Sequence, residues 1–120
     1  MSKNIFADFD FDSYFELLEM ANVEQVHLVH HNLGFGGFSF CWQRCTEYPG
    51  NKMVKVSVSF CSEKDQFCRK IGAFHALDTF FAGQLIMLPV GDQDSAVIVQ
   101  RLRNIFLEAV LDNYDEDYSF

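Results

Sequence analysis

The stretch 53–81 changes its hydrophobic period partway along, and this limits the fold more than any other feature. Val54, Val56, Val58 and Phe60 alternate with Lys55, Ser57 and Ser59, the pattern of a strand with one buried and one wet face. Further on, Phe67, Ile71, Phe74, Leu77 and Phe81 recur at three- and four-residue steps, the stripe of an amphipathic helix, and Gly83 can end it. Between them, Ser62, Glu63, Lys64 and Asp65 have capping-box spacing, so the helix is expected to open there. A strand leading into such a helix requires a sheet with a helix packed on it.

The remaining segments extend this unit. Ser13 and Glu16 form another capping box, predicting a short helix with Phe15, Leu17, Leu18 and Met20 on a broad apolar side and Asn22 as terminator. Residues 25–31 read as a strand, with His27 and His31 on one face and His30 on the other. Gly34, Gly36 and Gly37 permit a turn or bulge, and 37–44 returns as a strand with Phe38, Phe40 and Trp42 on one face. A turn over 48–51 precedes the strand 53–60. After the central helix, 85–90 reads as a short strand stopped by Pro89 and Gly91, and Ser95 opens a last helix with Ile98, Leu102, Ile105 and Ala109 inward. The expected fold is α+β in the order α-β-β-β-α-β-α: an antiparallel three- to four-stranded meander with helices packed on one face. One globular domain over 1–111 is expected, with 1–12 as an arm in which aromatic and acidic residues alternate, and 112–120 as an acidic, aromatic tail.

Length and charge narrow the function classes. A chain of 120 residues supports one core. Fourteen phenylalanines, four tyrosines and Trp42 serve either burial or interface anchoring. A net charge of −8 disfavours gripping nucleic acid through the overall field and suits a partner with a basic surface. No stretch approaches the ~20 apolar residues of a membrane span, and no secretory apolar region follows Met1, so the expected compartment is the cytoplasm. Reduced cysteines go with that compartment. Cys41, Cys45, Cys61 and Cys68 lack C-x-x-C pairing; Cys61, Cys68 and His75 form the one looser metal-ligand combination, against the plainer reading of packed cysteines. No metal or cofactor is expected.

Three places carry binding chemistry. Lys64, Asp65, Arg69 and Lys70 gather around the expected helix start, where backbone N–H groups and cationic side chains suit an anion; the plainer reading is a cap and a solvated face. Phe38, Phe40 and Trp42 would suit base stacking if exposed, but alternation assigns them to the core, leaving Phe35 as the exposed aromatic. The tail 112–120 offers acidic residues with Tyr118 and Phe120 to a basic pocket, and its removal from 114 onward is expected to leave the fold intact. No nucleophile–base order, phosphate loop or carboxylate pair at useful spacing is present, so no enzymatic activity is expected.

Three resemblances bear on function. The run from Val56 to Gly72, with Lys64-Asp65, Phe67, Arg69-Lys70 and Gly72, resembles a strand-KDxFxRKxG-helix pattern of small uncharacterised phage proteins, which implies a viral accessory protein without a defined activity. The acidic tail ending in Phe120 resembles the partner-recruiting tip of single-stranded-DNA-binding proteins, although no proline precedes the final residue. The order helix, three strands, helix resembles the double-stranded-RNA-binding module, but Asp65 stands where that module wants a base. The resulting expectation is a non-enzymatic, phage-type protein that binds a host or phage protein with a basic surface and inhibits or redirects a host defence or nucleic-acid-processing protein. The alternative is a nucleic-acid-binding module using Lys55, Lys64, Arg69 and Lys70, with the tail recruiting replication or repair partners. A homodimer is also allowed, because it would bury a spare sheet face.

Overall fold

The computed structural model describes residues 8–45 and 52–118, with side chains as far as Tyr114. The expected turn over 48–51, the arm before Asp8, the side chain of Tyr118 and Phe120 lie outside the described residues. The elements run α1 (Phe11–Glu24), β1 (His27–Asn32), β2 (Phe35–Cys45), β3 (Met53–Gln66), α2 (Arg69–Phe81), β4 (Ile86–Pro89) and α3 (Ser95–Tyr118). All four strands form one antiparallel sheet in the order β1-β2-β3-β4, giving the α+β class and element order that the sequence predicts.

The helices divide between the two sheet faces. Phe38, Phe40 and Trp42 of β2 lie beside Val54 and Val56 of β3, and α3 covers them with Ile98, Leu102, Phe106 and Val110. Burying each such side chain contributes about 1.5–3 kcal/mol. On the opposite face, Cys41 packs with Ala76, Leu77 and Phe80 of α2 and with Ala21 of α1. That face carries small residues, Ser39, Cys41 and Ser57, which let α2 approach closely. A Cβ on Gly72 would collide with the Ser39 hydroxyl. Ser57 is buried, donates to the Ala76 carbonyl at 2.6 Å and lies 3.0 Å from Cys41 Sγ. Helices on both faces replace the expected one-sided layer.

Several boundaries shift for identifiable reasons. The carboxylate of Asp10, not the hydroxyl of Ser13, caps α1, accepting from Ser13 N at 3.0 Å and from Ser13 Oγ at 2.6 Å. Phe9 packs edge-on to Phe74, with centroids 5.5 Å apart, so the described end of the arm is docked on α2. α1 ends at Gln25 in the left-handed conformation (φ 58°), three residues past Asn22. The central helix opens at Arg69 instead of the expected capping box at Ser62. Cys61 pairs with Gly37 and Gln66 with Phe35 across a bulge, while Phe67 N–H donates to the Gly34 carbonyl at 2.9 Å. These ladder bonds outweigh a local cap worth about 1 kcal/mol, and Ser62 Oγ instead accepts from Lys64 N. The inner face of α2 comprises Ala73, Ala76, Leu77 and Phe80. On α3 the stripe keeps a strict four-residue step, so Phe106 and Val110 are buried and Ile105 is exposed.

The expected tail is helical through Tyr118. The Tyr114 hydroxyl accepts from Gly37 N at 3.1 Å and donates to the Cys61 carbonyl at 2.7 Å. Gly36 (φ 82°) makes room for the phenol, since a Cβ there would run into its ring. No helix among the described residues is long and apolar enough to cross a membrane.

Candidate protein-docking groove

The fold keeps Asp65 and Arg69 of the expected basic cluster on one cleft and turns Lys70 away from it. Lys64 and Asp65 lie exposed in the bulged end of β3, close to Phe35, which is 66% exposed. Arg69 and Lys70 open α2 but diverge. Lys70 Nζ sits 5.8 Å above the Phe11 ring, on the α1 side. Arg69 lines a notch at the β1 edge with His30. Phe35 is the exposed aromatic that the sequence singles out, whereas Phe38, Phe40 and Trp42 are sealed beneath α3. Cys61, Cys68 and His75 all line a cleft of about 850 Å³, yet no three His, Cys, Asp or Glu side chains among the described residues are placed to hold a metal ion. Burial raises the Cys61 thiol pKa and pushes Cys41 up to about 11, so neither is an activated nucleophile.

A more coherent site lies where α1, α2 and the sheet meet. On α1, Glu16, Glu19, Met20 and Val23 share one helix face by their three- and four-residue spacing. Ala21 and the partly buried Leu17 and Leu18 turn the other way, into the core. α1 is fixed in this position by local bonds at its end. Val26 N donates to the Ala21 carbonyl at 2.8 Å, and Gln43 Nε2 on β2 donates to the Glu24 carbonyl at 2.6 Å. Across from α1 stand Phe80 and Phe81 at the end of α2, followed by Leu85. Between these walls runs a groove of about 640 Å³.

The groove combines an apolar floor with an acidic margin. Val23 is 72% exposed and Met20 44%, and the two stand one helical turn apart along the groove. Glu16, Glu19 and Glu24 carry three negative charges around it, against Lys55 alone. The arrangement suits recognition of an apolar segment flanked by Lys or Arg. Of these groove residues only Lys55 is singled out as a site in the sequence, and there for nucleic acid, not for this groove. The usable signal was the unusually broad apolar side of α1, wider than one stripe requires.

Fold and site together define a small α+β protein with an acidic-rimmed apolar groove. Comparison with family models, with curated proteins and with solved structures gives no significant match for this chain.

Proposed function

We propose that this chain is a non-enzymatic binding protein of the phage accessory type, which docks a basic, apolar segment of a host or phage protein in the α1–α2 groove and thereby inhibits or redirects it. The observation that carries the reading is the exposed pair Met20 and Val23, framed by Glu16, Glu19 and Glu24. The net charge of −8 supports it by attracting a basic partner from a distance. The phage context rests on the Lys64–Gly72 pattern alone. A host defence or nucleic-acid-processing protein is the target class, because such proteins present basic surfaces.

The test compares wild type with Met20→Asp/Val23→Asp in affinity capture from bacterial lysate, followed by titration of each captured protein. Both positions are exposed, so the variant should keep its fold. The reading expects a partner that wild type binds and the variant loses by about tenfold or more, with affinity falling as salt rises. Partners retained equally by both proteins would refute the groove. Salt-sensitive binding of labelled oligonucleotides, lost on Lys64→Gln/Arg69→Gln, would instead establish the nucleic-acid-binding alternative.

A further inference from the structure

The edge strand β1 combines an open backbone with an unusual local charge. Among the described residues β1 pairs only with β2, so its outer edge has no strand partner among them. Sheet edges of this kind accept an added strand unless they are guarded. Here cationic groups flank the edge on both faces of the sheet. His30 points to the α2 face, where Ser39 Oγ lies 2.7 Å from its Nδ1, and Arg69 stands nearby. His31 points to the α3 face, stacked on Phe38, and Arg103 from α3 lies 3.0 Å from its Nδ1. Arg103 also reaches the outward carbonyl of His30 at 3.2 Å.

Both guanidiniums lack a carboxylate partner among the described residues. They share a notch of about 550 Å³ with Val29 and Val99, which no acidic residue among the described ones lines, while Arg69 also borders the cleft of Asp8 and Asp65. In a chain of net charge −8, an anion-seeking pocket stands against the overall field and is therefore a local feature of the edge. Burial and then the neighbouring arginine lower the pKa of both histidines, His30 through Arg69 and His31 through Arg103, as a positive potential on each face requires.

We propose that the β1 edge is a docking site for an extended acidic polypeptide segment, which adds to the sheet as a fifth strand with carboxylates held by Arg69 and Arg103. An edge strand offers backbone pairing that a nucleic acid cannot use, which favours a polypeptide over a phosphate chain. The geometry also specifies the segment. Successive side chains of a strand point to opposite faces, and the two arginines lie on opposite faces. Adjacent acidic residues therefore reach both, whereas acidic residues separated by one position reach only one. This site is separate from the α1–α2 groove and takes a ligand of opposite charge, so either can fail without the other.

The probe is a fluorescein-labelled peptide of alternating Thr and Val with an adjacent Glu pair at its centre, titrated against the full chain by anisotropy at low and physiological salt. Control peptides separate the Glu pair by one residue or replace it with a Gln pair, and oligothymidylate tests phosphate. The expected result is binding about tenfold tighter for the adjacent Glu pair than for either control peptide, weakened by salt. Arg69→Gln and Arg103→Gln should each lose most of it. Arg103→Lys, which keeps the charge beside His30, should fold and bind in part. Amide exchange in the complex should slow along β1 and not along β4. Absent binding, equal binding of the control peptides, oligothymidylate binding with the same arginine dependence, or unchanged β1 exchange would each overturn the proposal.

Discussion

Replacing Tyr114 with Phe tests whether the end of the chain belongs to the fold. The substitution removes one oxygen and keeps the ring. It leaves Gly37 N–H and the Cys61 carbonyl without the partner that bridged them. Each such bond is worth about 1 kcal/mol net, and because the site is only partly buried, water recovers some of the loss. The expected cost is about 1–2 kcal/mol, or about 4–8 °C in melting temperature at roughly 4 °C per kcal/mol for a chain this size. Ending the chain at Asn113 should cost more, since the ring packed against the α3-side core is lost as well. Urea and thermal melts by far-UV circular dichroism, with the fluorescence of the buried Trp42 as a second probe, measure both. A Tyr114→Phe midpoint within about 1 °C of wild type, with an unchanged denaturant slope, would refute the tether and restore the reading of a dispensable tail.

Two further outcomes follow from the packing around Ser39 and the histidines. Both His30 and His31 have pKa values lowered in the folded state, so the unfolded chain binds their protons first; stability is fully present above about pH 6.5 and declines as pH falls below it. Urea midpoints at pH 7.5 and 5.5 should show that decline, and His30→Gln/His31→Gln should flatten it. Gly72→Ala, which in an ordinary helix would stabilise by up to about 1 kcal/mol, should instead lower the midpoint in a urea melt, because the new methyl displaces the fully buried Ser39 hydroxyl from its contact with His30.

Strand alternation and helical stripes made the fold class and element order legible, because hydrophobic period is a local property. What lay beyond the sequence depended on pairing between distant segments. The capping box at Ser62 is sound chemistry, but it cannot register that Gly34 and Phe35 will supply partners to Phe67 and Gln66. The division of helices between the faces was written in Ser39, Cys41 and Ser57, small residues that look like the wet side of a strand until Ala73 and Ala76 press against them. Phe35 was recognisable as exposed because it sits among glycines in a turn. The groove was not recognisable: Met20 and Val23 look like core residues in a list of apolar positions, and only the direction of α1 leaves them outside. The spread of the basic residues was hidden for the converse reason, since Arg69 and Lys70 are adjacent in sequence and diverge around the helix.

The meander has a consequence for how the molecule comes into being. Each strand pairs with its neighbour in the sequence, so the sheet can zip up through short-range steps with no segment to thread. α3 is the exception, returning from the end of the chain to close a contact 77 residues back, at Gly37. During synthesis, Phe38, Phe40 and Trp42 therefore emerge long before the helix that covers them, and a nascent chain presents a bare aromatic sheet until α3 arrives. That interval is when the protein is most prone to aggregate or to engage a chaperone. Substitutions along Ile98, Leu102, Phe106 and Val110 should accordingly hasten unfolding far more than they slow folding.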